Sequence, residues 1–233
     1  MGYLHWTDGD GTKKTFHQDL KPFDVLFNAD WLRTIVPPRT KTVPMNDVPA
    51  SFLEALAELA GAFRLYRETV GHDAVLVGGA ATVLYTAGAF SSGDFDFVVI
   101  DDQVFGNVMA KCGFIKETRS GRLHIGYYHP QHPEYGFQAV SGALFDGRAD
   151  RRRLVAVSVR EGRHITLPAV EDIIADRLAQ HSVAPPNDSS RLEQARLMFL
   201  LAAKIDMEYL RKRVEEEGGD ISLLPPRSDY AAP

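Results

Sequence analysis

The sequence predicts an α/β protein, in which a short, mixed, twisted sheet has helices on one side and a C-terminal helical segment follows. Strand patterns recur along the middle of the chain, at residues 74–77, 94–100, 114–119, 122–129, 136–141 and, more weakly, 154–159. From Pro168 onward the pattern becomes helical. A chain of 233 residues is long enough to bury a full core and carry a small helical appendage.

Helix caps indicate where the predicted helices begin and end. Ser-Phe-Leu-Glu at 51–54 matches a capping box, and Ser-Arg-Leu-Glu at 190–193 matches a second one. Gly71 ends the first helix, because glycine readily adopts the left-handed conformation of a helix end. Further helices are predicted over residues 78–88, over 102–112 beginning at Asp101-Asp102, and from Asp206 to Gly218-Gly219.

These elements divide the chain into four predicted parts. They are an N-terminal hairpin and linker extension over 1–50, a core over 51–160, a C-terminal helical segment over 161–219 and a disordered tail over 220–233. The hairpin is predicted from Trp6-Thr7-Asp8-Gly9-Asp10-Gly11-Thr12, where glycine supplies positive φ between strand-like flanks. Prolines 37, 38 and 44 predict an extended linker after it.

One motif carries most of the functional information. Gly78-Gly79 opens a helix, and about fifteen residues later Asp94 and Asp96 alternate with phenylalanines on a strand. Residues two apart on a strand share a face, so both carboxylates point the same way. Like charges side by side repel unless a cation compensates, and Mg²⁺ binds carboxylate and phosphate oxygens. The motif therefore predicts a metal site, with the glycine N–H groups available to phosphates; the alternative is a strand face that is simply wetted.

This arrangement resembles the polymerase-β-type nucleotidyltransferase superfamily, whose signature is a Gly-Gly or Gly-Ser pair opening a helix before Asp-x-Asp. Within it, the likeness is to small bacterial nucleotidyltransferase-like proteins that include the AbiEii-type toxins. Ser92 matches a Ser or Thr two residues ahead of the aspartates, and residues 171–178 and 192–195 resemble the helical region that follows the catalytic sheet. The resemblance extends from the helix near Ser51 to about Gly219.

The resemblance implies a nucleotidyltransferase core over residues 51–160 and a set of site residues. The implied catalytic residues are Asp94, Asp96 and Gln138, with Mg²⁺ held by the two aspartates, and the implied nucleotide-binding residues are Gly78, Gly79, Ser92, Arg177 and Asp188. Gln138 stands where the superfamily has a third carboxylate, and an amide cannot accept the proton of an acceptor hydroxyl. Asp146 or Glu134 could substitute for it from nearby.

Several polar residues also have plainer interpretations. Ser92 could cap a turn, and Asp172 and Asp176 could be solvated residues that match the dipole of a helix N-terminus. The basic residues Arg148 and 151–153 are interpreted as a solvated turn, with a local RNA site as the alternative. His124, His129 and His132 suggest zinc, but they are interpreted as surface and turn histidines because no fourth ligand is evident.

Composition narrows the class of protein. The net charge of −5 argues against a protein that coats duplex nucleic acid through many Lys/Arg contacts. No stretch approaches eighteen consecutive apolar residues and no basic-then-apolar leader is evident, so neither a membrane protein nor a secreted one is expected. The single cysteine, Cys112, cannot form an internal disulfide, which suits a reducing cytoplasm.

Two functional hypotheses follow. In the first, the protein is a Mg²⁺-dependent nucleotidyltransferase that moves a nucleoside monophosphate from an NTP onto a hydroxyl of RNA or protein. In the second, the protein has lost catalysis and is a nucleotide- or partner-binding regulatory module, because Gln138 replaces a carboxylate. A partner protein bound through the N-terminal extension is a further expectation, and a toxin–antitoxin role rests on the resemblance alone.

Overall fold

The computed structural model describes residues 2–7, 13–18, 48–117, 125–141, 143–160 and 163–226. Its strands are β1 (Gly2–Thr7), β2 (Lys13–Gln18), β3 (Val75–Val77), β4 (Asp94–Val98), β5 (Ile115–Lys116), β6 (Ile125–His129), β7 (His132–Ser141), β8 (Val155–Arg160) and β9 (Arg163–Leu167). Its helices are α1 (Ala50–Val70), α2 (Gly78–Tyr85), α3 (Asp102–Lys111), α4 (Val170–Ser182), α5 (Ser190–Leu201) and α6 (Met207–Glu217).

The central sheet has five strands in the order β3-β4-β7-β6-β5. Strands β4 and β7 are parallel, whereas the other neighbours are antiparallel. Two antiparallel hairpins, β1-β2 and β8-β9, lie outside this sheet. The predicted α/β class with a mixed sheet and C-terminal helices is confirmed.

Helices cover one face of the sheet through an aromatic core. Phe95 and Phe97 of β4 are fully buried there, and the ring of Phe95 stacks on that of Phe137 at 5.0 Å. The hydroxyl of Tyr66 on α1 accepts hydrogen bonds from the N–H groups of Ile100 and Asp101, directly after β4. This contact fixes the start of α3, where the Asp101 carboxylate caps the helix as the sequence predicts.

The opposite face, called the outer face below, carries Asp94 and Asp96 of β4 together with Gly136 and Gln138 of β7. A small apolar cluster covers another part of this face and consists of Val75, Val77, Val98 and Leu144. The chain after β7 packs on this cluster through Phe145 and Leu154. Asp94 itself is exposed and Asp96 is half-buried, so the carboxylates lie beside the covered part.

A buried ion pair joins α4 to α6. Arg213 is fully buried, and its Nε lies 2.7 Å from Oδ1 of Asp172, which is also buried and accepts a hydrogen bond from Tyr209. Burial raises the pKa of Asp172 despite these hydrogen bonds. The interpretation of Asp172 as a solvated helix-terminal residue is therefore wrong, because its partner arrives from a helix 41 residues away.

The same region connects α4 to α2. The hydroxyl of Tyr85, at the end of α2, donates a hydrogen bond of 2.5 Å to the carbonyl of Pro168, just before α4. Burial raises the pKa of Tyr85, and the nearby charges of Glu171 and Asp172 raise it further. The hydroxyl therefore stays protonated, and its hydrogen bond anchors the start of the helical segment to the core.

Both predicted capping boxes are wrong in detail. Helix α1 begins two residues earlier than expected, after Pro49, so Ser51 lies inside it and its hydroxyl bonds instead with that of Tyr135 at 3.0 Å. At α5 the hydroxyl of Ser189, not Ser190, donates to Glu193. Asp206, by contrast, caps α6 as predicted, and Gly218 ends α6 with a φ of 75°.

Two further expectations concern the ends of the chain, and one strand was not expected. The N-terminal hairpin is confirmed by the pairing of β1 with β2, although its turn lies outside the described residues. Strand β9 was not predicted. Disorder from Asp220 onward is not observed over 220–226, where a 3₁₀ turn at Ile221–Leu223 holds the carbonyl of Leu223 against Arg196.

We predict that Arg213→Met costs about 3–5 kcal/mol of unfolding free energy, because it leaves Asp172 buried without its counter-charge. Urea denaturation of the purified variants measures this cost. The control is Lys212→Met, which removes the neighbouring and largely exposed cation and should cost less than about 1 kcal/mol. Equal and small losses in the two variants would contradict a structural role for the pair.

Candidate active site

Two glycines bring the start of α2 against the strand that carries the aspartates. Gly78 has a φ of +67°, and a Cβ built on it would collide with the Asp96 carboxylate. A Cβ on Gly79 would lie 2.5 Å from the hydroxyl oxygen of Ser92. An alanine at either position would displace a site residue. Glycine is therefore required here by these close contacts and not only by the conformation of the turn.

The aspartates and Gln138 lie in one register. Asp96 pairs with Val77 on one side and with Gln138 on the other, while Asp94 pairs with Gly136. A Cβ on Gly136 would collide with the Asp94 carboxylate and would lie 3.8 Å from Nε2 of Gln138. The structure therefore brings Asp94, Asp96 and Gln138 together on the outer face.

Gly136 is a site residue that the sequence analysis did not identify. Its missing side chain makes room for the Asp94 carboxylate, just as Gly78 makes room for that of Asp96. The signal was a glycine two residues before Gln138, but its meaning depends on the register between β4 and β7.

Ser92 lies beside the glycine pair but has a local partner. Its hydroxyl donates a hydrogen bond of 2.8 Å to the carbonyl of Asp94, which closes the turn leading into β4. This contact corresponds to the turn-capping interpretation.

Arg177 on α4 is buried, with 2% of its surface exposed. Its Nη1 donates to Gln180 at 2.7 Å, and its Nη2 lies 3.7 Å from Asp176. Among the described residues, its Nε and Nη2 find no hydrogen-bond partner. Burial lowers the pKa of Arg177, whereas the charges of Asp176 and Asp96 raise it. A buried guanidinium with unused donors that feels the Asp96 charge is suited to an anionic ligand.

Asp188 and Asp176 have helix partners. Asp188 lies in the turn between α4 and α5, where its carboxylate accepts a hydrogen bond from the N–H of Ser190 at 3.0 Å. Hydrogen bonds from the Ser190 side chain and from this N–H lower the pKa of Asp188. Asp176 is half-buried and accepts from Gln180 on the same helix. The described contacts do not bring either residue to Asp94 or Asp96.

The basic residues after β7 form an exposed turn, in agreement with the plainer interpretation. Arg152 is 91% exposed in its side chain and pairs with Asp150 at 2.9 Å. Arg153 pairs with Asp206 and stacks on the Tyr209 ring. These cations are already matched by acidic and aromatic neighbours.

The histidines differ from the expectation that they are surface residues. His129 and His132 flank the turn between β6 and β7 but are buried, and their rings stack at 5.4 Å. Burial lowers the pKa of His129. His124 lies outside the described residues. No three His, Cys, Asp or Glu residues in the described part of the chain are grouped so that they could hold a metal ion.

Comparison with solved structures supports the architecture. An antigenic nucleotidyltransferase-like protein from Paracoccidioides brasiliensis matches with a TM-score of 0.51 and 13% identity, over 73% of this chain and 89% of that one. The chain has a nucleotidyltransferase-like fold. ANT(2'')-Ia in complex with adenylyl-2''-tobramycin matches with a TM-score of 0.49 and 16% identity, over 73% of this chain and 100% of that one.

A solution structure of the antibiotic-resistance factor ANT(2'')-Ia matches with a TM-score of 0.47 and 16% identity, over 71% of this chain and 94% of that one. No protein-family profile and no curated protein sequence matches this chain. In the described residues, no helix is both long and apolar enough to cross a membrane.

We predict that Gly78→Ala lowers the unfolding free energy by at least about 1–2 kcal/mol, because its φ is left-handed and the new Cβ meets Asp96. In an Asp96→Ala background the cost should fall, since only the cost of placing alanine in a left-handed backbone conformation remains. Gly93→Ala is the control, because a Cβ there meets nothing within 4 Å. Denaturant unfolding of the wild type and the four variants gives the comparison, and equal costs of Gly78→Ala in both backgrounds would exclude the collision.

Proposed function

We propose that this protein is a Mg²⁺-dependent nucleotidyltransferase, which moves a nucleoside monophosphate from an NTP onto a hydroxyl of an acceptor. The observation that carries the proposal is the outer-face register, in which Asp94, Asp96 and Gln138 lie together beside the Gly78-Gly79 turn. Carboxylates at this position and phosphate-binding N–H groups next to them are the two parts that such a transfer requires.

The donor atoms suit magnesium. Asp94 and Asp96 offer carboxylate oxygens and Gln138 offers a neutral amide oxygen, all of them hard donors. Two carboxylates are few for a protein-only metal site, but Mg²⁺ is commonly held by one or two carboxylates together with substrate phosphates. When bound, the ion supplies positive charge that neutralises the triphosphate and makes the acceptor hydroxyl more acidic.

The protein residues have distinct parts in this proposal. The N–H groups at the start of α2 bind triphosphate oxygens, and the positive end of the short helix favours their charge. Arg177 donates to the same phosphates through the nitrogens that have no hydrogen-bond partner among the described residues. Asp94 and Asp96 orient the ion. The acceptor hydroxyl gives up its proton to a base as its oxygen bonds to the α-phosphorus; the bond to the bridging oxygen breaks, and pyrophosphate leaves with that electron pair.

A second candidate function is a nucleotide- or partner-binding regulatory module without catalysis. The observation that favours it is Gln138, which lies directly opposite Asp96 where a third negative charge would otherwise strengthen metal binding. A neutral amide lowers the affinity for a second ion and offers no base.

The finer parts of the proposal have different grounds: the cytoplasmic location rests on the single cysteine, the partner on the extension outside the resemblance, and the rest on the resemblance to AbiEii-type toxins. These finer parts are an RNA or protein acceptor, a toxin–antitoxin context, a cytoplasmic location, nucleotide contacts by Ser92 and Asp188, and a partner protein bound through the N-terminal extension. The division into an extension, a core, a helical segment and a tail belongs to the same proposal.

We predict that Mg²⁺ together with NTP raises the melting temperature by several degrees, since ligand at a hundredfold excess over Kd adds about 2.7 kcal/mol. Thermal melts with each NTP measure the shift. Asp94→Asn/Asp96→Asn should abolish it without lowering the apo melting temperature, because a like-charge pair is removed. Glu68→Gln, which changes an exposed carboxylate on α1, is the control. An undiminished shift in the double variant would exclude these aspartates as the site.

We also predict that Gln138→Glu tightens Mn²⁺ binding at least about tenfold, because it adds a charge opposite Asp96. Transfer of label from NTP to total RNA should rise about ten- to a thousandfold, the range in which added ligand or base groups act. Gln131→Glu, in the exposed turn before β7, is the control. Tighter binding without any transfer in either protein would favour the regulatory function, and an unchanged Mn²⁺ affinity would exclude Gln138 from the metal site.

A further inference from the structure

Glu117 lies at one end of a row of cross-strand paired residues that also contains Asp96. Glu117 directly follows β5, and its N–H donates to the carbonyl of Gly126 at 2.9 Å, which extends the β5-β6 ladder by one residue. Gly126 pairs with Gln138, and Gln138 pairs with Asp96. Paired residues of adjacent strands project from the same face, so Glu117 belongs to the outer face.

The absence of a side chain at Gly126 lets the glutamate lean toward the site. A Cβ built on Gly126 would lie 3.4 Å from Oε2 of Glu117, so the carboxylate extends over the strand that separates it from Gln138. Adjacent strands are about 4.8 Å apart, which places Gly126 roughly two strand spacings from Asp96. The Glu117 backbone is one spacing further away, but its carboxylate leans back over Gly126, and an ion, the α-phosphoryl group and the acceptor oxygen together span roughly two strand spacings.

The proposed phosphate site and Glu117 lie on opposite sides of Asp96 in this row of paired residues. On the β3 side of Asp96 lie Val77 and the Gly78-Gly79 turn, where phosphates are proposed to bind. Arg177 is a buried guanidinium with unused hydrogen-bond donors among the described residues, which suits an anionic ligand. Glu117 lies on the other side, beyond Gln138. In-line displacement requires the acceptor opposite the leaving group, so the acceptor hydroxyl belongs on the Glu117 side.

We propose that Glu117 is the general base of the reaction, a role that rests on the proposed nucleotidyltransferase function. Its carboxylate accepts the proton of the acceptor hydroxyl while that oxygen bonds to the α-phosphorus and pyrophosphate departs with the electrons of the broken bond. The protonated Glu117 then returns its proton to solvent. A base at the end of β5, separated from Gln138 by β6, accounts for how a site with an amide at the usual carboxylate position catalyses transfer.

Glu134 is the competing carboxylate and serves as the matched variant. It is exposed near the start of β7, two residues before Gly136, and it lies outside the row that contains Asp96 and Glu117. Labelled NTP, Mg²⁺ and total RNA provide the assay. Glu117→Gln should lower kcat about a hundredfold, leave KM for NTP unchanged and remove the acidic limb of the pH–rate profile. Glu134→Gln should stay within about threefold of the wild type.

A second readout does not depend on turnover. In protein with ¹³C-labelled glutamate carboxylates, Mn²⁺ alone should broaden the Glu117 resonance, assigned by its loss in Glu117→Gln, well before that of Glu68 on α1. A wild-type rate and pH profile in Glu117→Gln, or a Glu117 signal that Mn²⁺ leaves sharp, would overturn the assignment while the nucleotidyltransferase function stands. If the wild type shows neither NTP-dependent stabilisation nor transfer, the proposed function fails first and Glu117 loses its role with it.

Discussion

The packing of Phe95 and Phe97 into the helix-covered core holds Asp94 and Asp96 on the outer face, because residues two apart on a strand project from the same side. A slip of one residue would drive two carboxylates into an aromatic interior, at a cost of several kcal/mol for each unpaired charge. The register of β4 is thus set by its apolar residues. The position of the polar ones, and of their neighbours Gly136 and Gln138 on β7, follows from it.

This arrangement divides the outer face into a part that the chain covers and a part that it leaves uncovered. Where Val75, Val77 and Val98 project, the chain after β7 folds back and covers them with Leu144. Where the aspartates project, glycines at 78 and 136 replace side chains that would fill the space. The covered part contributes stability and leaves the uncovered part free to carry charges that oppose folding. Two adjacent carboxylates can be carried here because the rest of the same face is well packed.

The local patterns of the sequence were sufficient to predict the fold class, the alternation on β4 and the helix caps at Asp101 and Asp206. They failed where the outcome depends on residues far apart in the chain. The capping box at Ser51 is wrong because Tyr135 takes its hydroxyl, and the solvated interpretation of Asp172 is wrong because Arg213 reaches it. For the same reason the sequence did not indicate Glu117, since its proximity to Gln138 requires the pairing of β5, β6 and β7.

The β8-β9 hairpin bears on how the chain is organised. Its strands lie on either side of residue 160, the predicted boundary between core and helical segment, and Ile165 and Leu167 of β9 are buried in the same apolar cluster as α1. The core and the C-terminal helices therefore share one interior. A fragment that ended at this boundary would lose the partner of β8 and leave the hydrophobic surface of α1 in water, so the two parts form a single cooperative unit of folding.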